Sequence, residues 1–423
     1  MSALARQQKK PQKPYRSFPL TAHNNGQWCK KIRGKVHFFG VWDDSQAALN
    51  NYLSVAADLH AGRRPNPLNL PAGAVTVKDV CNRFLTSQQR RVDAGEIEAH
   101  WFDACRRTTE DFARFVGTDR VVEDLGPTDF EAYRLKLTRK GLTRAKGLGV
   151  HAIDRSVTVV KEIFAYAVDM EIIQHPVNLG RSFRGPSAAS KRKSRSESRI
   201  RNGAKLLDPS DVRRMLDTAG TSLRAMILLG INGGFGSTDC SRLPIIAIRR
   251  DTGTIEFARP KNGIERVVPL WPETHAALEA VIAGRPSPSD ESCEDAKGLV
   301  FLTSFGQPWV RYHVHRDPNG SIEAVTRMDA IRGEFDKLLK KLGLKRKGIG
   351  FYTLRHTFRT WADEVRDQHA IHRIMGHAIP GMSGIYVEKI ELHRLRAVVD
   401  HVHGKLYGTP ASPSPDSSIP KPT

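Results

Sequence analysis

The chain has 423 residues, with 66 lysines and arginines against 45 aspartates and glutamates, for a formal net charge of +21. That length leaves room for two or three domains, each with its own core. The charge points to a polyanion, and nucleic acid comes before anionic membrane because the sequence has no long apolar run and no signal-peptide pattern.

Five cysteines, Cys29, Cys81, Cys105, Cys240 and Cys293, are scattered without a Cys-x-x-Cys pair. This argues against a disulfide framework or a zinc site, and for a reducing, cytoplasmic setting in which they are small core residues.

In chain order, Gln27 to Trp42 alternates β-branched and aromatic residues with basic ones around Arg33-Gly34-Lys35, which predicts a hairpin. One face offers Trp28, Ile32, Val36 and Phe38; the other offers Lys31, Arg33, Lys35 and His37. Asp43-Asp44-Ser45 predicts a helix cap, followed by Ala47, Ala48, Leu49, Tyr52, Leu53 and Ala56 at helical spacing. Residues 1–71 therefore read as a small sheet on one helix. Its one-signed outer face suits a DNA major groove, with Lys31, Arg33 and Lys35 as contacts; the plainer alternative is a solvated charged face.

Residues 60–74 are rich in Gly, Pro and Asn and read as a linker. Residues 75–181 predict a helical bundle, with stripes at Val77, Val80, Cys81, Phe84 and Leu85, at Phe112, Phe115 and Val116, and at Val157, Val160, Ile163, Phe164 and Ala167. Arg139, Lys140, Arg144 and Lys146 fall in a glycine-containing loop able to touch phosphates, or simply to be solvated. Residues 182–205 carry Lys191, Arg192, Lys193, Arg195, Arg199, Arg201 and Lys205 with few apolar partners, which predicts a flexible basic connector. Between two DNA-contacting domains, Lys191, Arg192 and Lys193 would cross the phosphate backbone.

The last folded unit, 206–403, opens with capping chemistry at Leu206-Leu-Asp-Pro-Ser-Asp211. A strand pair, Thr254 to Phe257 and Arg266 to Pro269, turns through Lys261-Asn262-Gly263, where Asn-Gly is a strong hairpin signal. Residues 275–320 read as loop-rich, helices then resume, and residues 404–423 form a Pro/Ser tail expected to be disordered.

Chemistry concentrates near the C-terminus: Tyr352-Thr-Leu-Arg355, then Met375-Gly376-His377, then Tyr386. Arginine grips phosphate with a planar fork of donors, histidine donates or carries a proton near neutrality, and a tyrosine hydroxyl can attack phosphorus. These motifs resemble the catalytic domain of the tyrosine recombinases, the phage-type integrases. Members carry His-x-x-Arg, then Leu-Gly-His, then a tyrosine about nine positions on. Ahead of these stands a hairpin lysine before an apolar strand ending in Pro-Leu, as in Arg259-Pro-Lys261-Asn-Gly-Ile-Glu-Arg-Val-Val-Pro-Leu270.

The resemblance implies a mainly α fold with small β-sheets: an N-terminal arm-binding module of sheet plus helix, a helical core-binding domain and an α+β catalytic domain. It implies site-specific strand cleavage and rejoining without metal, nucleotide or other cofactor. Tyr386 would be the nucleophile, Arg355 the phosphate clamp, Lys261 the acid for the leaving oxygen and His377 a hydrogen-bond or proton-transfer partner, with Tyr352 in a place usually held by histidine. The partner would be double-stranded DNA, engaged by a homo-tetramer on paired sites in the cytoplasm at the nucleoid, with no membrane.

One departure stands out. The family's first arginine lies in Thr-Gly-x-Arg-x-x-Glu, and the corresponding Gly233-Gly234-Phe235-Gly236-Ser237-Thr238-Asp239 has glycine at that position. Loss of one such donor can lower the rate on the order of 10²–10³. Arg242, six residues on, lies about 240° around a helix from position 236. The paired glycines would let backbone N–H groups face a phosphate instead. The alternative function is a recombinase-fold DNA-binding protein, accessory or regulatory, whose cleavage is impaired.

Overall fold

The computed structural model describes residues 10–61, 74–139, 148–289, 294–378 and 390–408. Tyr386, Lys140, Arg144, Lys146, Cys293 and residues 409–423 lie outside the described residues. The chain divides into two compact units: Met1–Ile97 with Ala104–Pro186, and Glu98–Asp103 with Ser187–Thr423.

In the first unit, β1 (Thr21–His23), β2 (Gln27–Ile32) and β3 (Lys35–Val41) form an antiparallel sheet in that order, followed by α1 (Ser45–Ala61). Ile32 pairs with Lys35 across a two-residue turn in which both Arg33 (φ 48°) and Gly34 (φ 85°) are left-handed, as a tight hairpin requires. Asp44 caps α1, its Oδ1 accepting from the N–H of Ala47 at 2.8 Å. Phe18, Leu20, Trp28, Ile32, Phe39, Ala48 and Tyr52 form the core.

The expected apolar face is corrected in β3. Val36 and Phe38 are exposed, and Phe39 is the buried residue. The physical reason is the two-residue turn: it pairs Ile32 with Lys35, so the buried face of β2 continues onto the alternate residues Lys35, His37 and Phe39. Val36 therefore stands opposite Lys31, and Phe38 opposite Cys29.

The helices α2 (Val77–Asp93), α3 (Ala99–Val116), α4 (Pro127–Thr138) and α5 (Val150–Asp169) follow. Thr76 and Asp79 close a capping box on α2. Phe112, Phe130 and Phe164 pack ring against ring at centroid distances of 5.4–5.9 Å. Phe115 is not part of the buried stripe; it is exposed, with the ammonium of Lys136 5.2 Å from its ring centroid.

The second unit contains the correction with most consequence for the basic segment. Residues 188–202, expected as a flexible connector, form a helix, α6 (Ala188–Asn202), in which no residue is buried. The composition explains it: Ala, Lys, Arg and Ser run without Gly or Pro, Ser187 caps the start, and Gly203 (φ 77°) ends it. Arg346 fixes the exit by donating to the carbonyls of Asn202 and Ala204, each at 2.7 Å.

The core of this unit is built by α7 (Pro209–Thr218), α8 (Thr221–Gly233), the short α9 (Ser237–Ser241), the sheet β4 (Ile248–Arg249), β5 (Thr254–Glu256) and β6 (Val267–Pro269), and α10 (Pro272–Ala283). Buried Asn232 links α8 to the sheet, donating to the Pro269 carbonyl at 3.0 Å and accepting from the N–H of Trp271 at 3.1 Å.

The stretch read as loop-rich contains more order than expected. It begins within α10 and ends in a two-stranded ribbon, β7 (Val310–Arg316) and β8 (Ile322–Asp329), turned by Asp317, whose Oδ1 accepts from Asn319 and Ser321. Most of β7 is polar and exposed, so it carried no hydrophobic signal.

The site-bearing helices are α11 (Ala330–Lys341), α12 (Tyr352–Ala362), α13 (Gln368–Met375) and α14 (Leu392–Tyr407). The expected tail thus starts later than Gly404: α14 runs through Tyr407, and Leu406 is fully buried. Cys29, Cys81, Cys105 and Cys240 are buried free thiols. Among the described residues, no helix is long and apolar enough to cross a membrane.

Candidate active site

On α12, Leu354, Phe358 and Ala362 are fully buried at i, i+4 and i+8. Arg355 sits beside that stripe and is only 2 % exposed. Its Nη1 donates to the Gly234 carbonyl at the end of α8, and its Nη2 donates to the Met375 carbonyl at the end of α13 at 2.9 Å. The same Nη2 lies 2.6 Å from Nε2 of His377. The guanidinium therefore ties three elements together.

His377 reaches this place because α13 stops at Gly376, whose φ of 61° is left-handed, and the His377 N–H returns to the His372 carbonyl at 3.0 Å. Gly376 also makes room: a Cβ there would stand 3.1 Å from the Cβ of Arg259. The His377 ring is pushed down to about 4, first by burial and then by the positive charges of Arg355 and Arg259. At neutral pH it is uncharged, so Nε2 accepts from Arg355 and the ring proton resides on Nδ1. Arg355 is itself shifted below its usual value, chiefly by burial and then by Arg259.

Asp239, on α9, organises the cationic side of the site. It is 4 % exposed, and its Oδ2 accepts from the Gly236 N–H at 2.8 Å, closing the first turn of α9. Three guanidiniums surround it: Nε of Arg259 at 3.6 Å, Nη1 of Arg266 at 3.6 Å and Nη1 of Arg355 at 3.9 Å. Arg266 is fully buried, its guanidinium 3.8 Å from the Phe235 ring centroid, and none of its three side-chain nitrogens has a hydrogen-bond partner among the described residues. Burial lowers its pKa to about 10.

Lys261 is exposed at the tip of a turn held by Arg259 N–H to the Ile264 carbonyl (2.8 Å) and Gly263 N–H to the Arg259 carbonyl (2.9 Å). The turn docks on α13: Asn262 Nδ2 donates to the Gly376 carbonyl at 3.3 Å, and Arg373 pairs with Glu265 at 3.1 Å. The turn that carries Lys261 is thereby held against the end of α13, where His377 follows Gly376.

Residues 205–393 match the phage integrase family. This segment, which carries the Arg355 and His377 motifs, is thus similar to that family. No curated protein matches the chain in sequence. Among solved structures, a lambda integrase dimer bound to a COC′ core site aligns with a TM-score of 0.50 at 14 % identity, covering 90 % of this chain and 99 % of that one. A lambda integrase tetramer bound to a Holliday junction gives 0.49 at 15 % identity, covering 88 % and 98 %. The Tn1549 transposon integrase (residues 82–397) in complex with circular intermediate DNA gives 0.49 at 16 % identity, covering 77 % and 99 %. At such identities the likeness is one of fold.

Position 236 departs from the pattern that the resemblance implies, and the geometry narrows how that departure is met. The N–H groups of Gly234 and Phe235 both return to the Leu229 carbonyl, and that of Gly236 goes to Asp239. The expectation of backbone donors facing a phosphate therefore fails at these three residues, because helix capping takes them. Arg242 caps the far end of α9, 45 % exposed, and pairs with Glu98 at 3.3 Å. Tyr352, first in α12 and 52 % exposed, has its ring edge beside Gly236, in van der Waals contact at 3.6 Å with the position a Cβ there would take.

The structure thus brings Arg355, His377 and the Lys261 turn together and puts Tyr352 beside Gly236. Lys31, Arg33 and Lys35 are exposed in the first unit, and Arg192 and Lys193 are exposed on α6, where Lys191 is half-buried. Sequence reasoning missed Arg259 and Arg266. The one available signal was their placement, two residues before Lys261 and just before the Val-Val-Pro-Leu strand.

Proposed function

We propose that the protein is a site-specific DNA recombinase or integrase that cuts and rejoins strands through a 3′-phosphotyrosine on Tyr386. The observation that carries this reading is the buried Arg355 guanidinium bound to neutral His377 at 2.6 Å, nine residues before Tyr386. A fixed fork beside an uncharged imidazole suits a phosphodiester whose charge grows as it is attacked.

The Tyr386 hydroxyl gives its proton to a solvent water as its oxygen bonds to phosphorus, and the bond from phosphorus to the 5′-oxygen breaks. Lys261 gives its proton to that oxygen. Arg355 neutralises the non-bridging oxygens, His377 holds one of them through Nδ1–H, and the Tyr352 hydroxyl donates to the same phosphate. The phosphodiester energy is kept in the protein link, so a second 5′-hydroxyl reverses the step without ATP. No metal or nucleotide enters this scheme.

In the same reading, residues 1–71 are an arm-type DNA-binding module acting through Lys31, Arg33 and Lys35, and 75–181 a core-binding domain touching phosphates through Arg144 and Lys146. Residues 206–403 form the catalytic domain. Lys191, Arg192 and Lys193 of α6 contact the backbone between them. The working species is a homo-tetramer on two double-stranded DNA sites, in the cytoplasm at the nucleoid.

A second reading, an accessory DNA-binding protein impaired in cleavage, is favoured by Gly236 alone. Nicked duplexes tiling the DNA that flanks the coding region are the test substrate, since a nick beside the scissile phosphate traps the covalent link. Wild type should give a protein–DNA adduct on one of them, and Tyr386→Phe none. Equal, negligible adduct from both proteins, with a large gain on Gly236→Arg, would establish the impaired reading instead.

A further inference from the structure

Gly236 leaves the phosphate clamp one guanidinium short, and three nearby arginines could supply it. Arg242 is turned to Glu98 at the far end of α9. Arg266 has no exposed surface and lies under Phe235, so it meets no ligand. Arg259 differs from both. Its Nε is buried without a hydrogen-bond partner among the described residues, 3.6 Å from Asp239 Oδ1, while the side chain keeps 12 % exposure. Its Cβ and Cδ lie against Gly376, the residue before His377, and its backbone closes the turn that presents Lys261.

The charge balance also asks for an anion. Three guanidiniums face one carboxylate, so with His377 uncharged the cluster carries 3 − 1 = +2. Buried charge without a partner is unfavourable, and a phosphodiester would offset part of it. Asp239 holds Arg259 through Oδ1 and Arg355 through Oδ2. Two planar forks are thus set on one carboxylate, as two non-bridging phosphate oxygens require.

We propose that Arg259, reaching from the hairpin rather than from α9, is the second guanidinium on the scissile phosphate. The proposal rests on the Tyr386 reading above and deepens it. Because Arg259 and Lys261 share one turn, half of the phosphate grip and the acid for the leaving oxygen move together. A withdrawn turn removes both.

The test compares Arg259→Ala with wild type on the nicked duplex that yields the adduct, made once with the natural scissile phosphate and once with a methylphosphonate there. Methylphosphonate removes the charge an arginine would neutralise. On phosphate DNA, Arg259→Ala should form adduct about 10²–10³-fold more slowly. On methylphosphonate DNA the deficit should shrink to within about tenfold, since the charge behind that factor is gone. A deficit of equal size on both DNAs would make Arg259 only a counter-ion for Asp239 and overturn the proposal, as would no deficit on phosphate DNA.

If Arg259→Ala does not fold, Arg259→Lys serves, since it keeps the charge and loses the fork. Its slower reaction should be confined to phosphate DNA, and equal slowing on both DNAs overturns the assignment. Wild type giving no adduct on either DNA would instead remove the Tyr386 reading and this role with it. Wild-type adduct with an unaffected Arg259→Ala would remove only this role.

Discussion

Two clusters of positive charge in the second unit show how differently the same side chains act. On α6, Lys191, Arg192, Lys193, Arg195, Arg199 and Arg201 lie on a helix with no buried residue and one acid, Glu197. Around Asp239, Arg259, Arg266 and Arg355 are largely or wholly buried and held within 4 Å of one carboxylate. The first is a field: long side chains in high dielectric, screened by salt, which in the proposed role would be indifferent to position along the DNA. The second is an instrument: low dielectric, fixed forks and charge only partly neutralised, which in the proposed role would favour one phosphate in one place. Net charge near the DNA is alike in kind, but only the buried cluster can stabilise a developing charge without rearranging.

The largest expected effect that would break this contrast is on Arg355. Arg355→Lys keeps the charge but cannot serve Gly234, Met375 and His377 at once. Adduct formation should fall on the order of 10²–10³. A loss under tenfold would mean that charge alone suffices.

Next is Asp239→Asn. Three guanidiniums lose their shared counter-charge, and urea unfolding of the second unit should report a loss of about 3–5 kcal/mol, the range for breaking a buried ion pair. Near-zero change would show that the arginines do not depend on Asp239.

His377 gives a smaller effect, dependent on pH. Its pKa is near 4 in the folded protein, against an ordinary value of about 6.5. The unfolded chain therefore binds a proton between about pH 6.5 and 4 that the folded chain does not. Stability falls as pH drops through that window and is unaffected by this group above it. Urea midpoints at pH 7 and 5 should differ less in His377→Gln than in wild type; an unchanged difference would place the ring in a different state.

The smallest effect on chemistry belongs to α6. Replacing Lys191, Arg192 and Lys193 with alanine should reduce the slope of log K against log salt by up to about 3, while DNA already bound is cleaved at the wild-type rate. A slowed cleavage step would give α6 a part in the site itself.

How far the sequence could be read follows the same division. Arg355, His377 and the Lys261 turn were legible because each is marked by a local motif, an Asn-Gly hairpin or a Gly-His helix end. The sheet of the N-terminal module was legible too, but not which face was buried, because the turn pairs Ile32 with Lys35 and so sets Val36 and Phe38 outward and Phe39 inward. Helix α6 was hidden because solubility and scarce apolar residues signal a linker, while helix propensity and caps act more quietly. Arg259 and Arg266 were hidden for another reason. Their meaning comes from convergence on Asp239, which lies 20 residues before Arg259 and 27 before Arg266 and is visible only once α9 packs against the hairpin.

The central claim is that this buried cluster serves a tyrosine nucleophile, and peptide mapping tests it most directly. The trapped adduct would be digested with nuclease and protease and the residue bearing the 3′-phosphonucleotide located by mass spectrometry. The account predicts the label on Tyr386, present in wild type and absent in Tyr386→Phe. A label on any other residue, or one that persists in Tyr386→Phe, would contradict it.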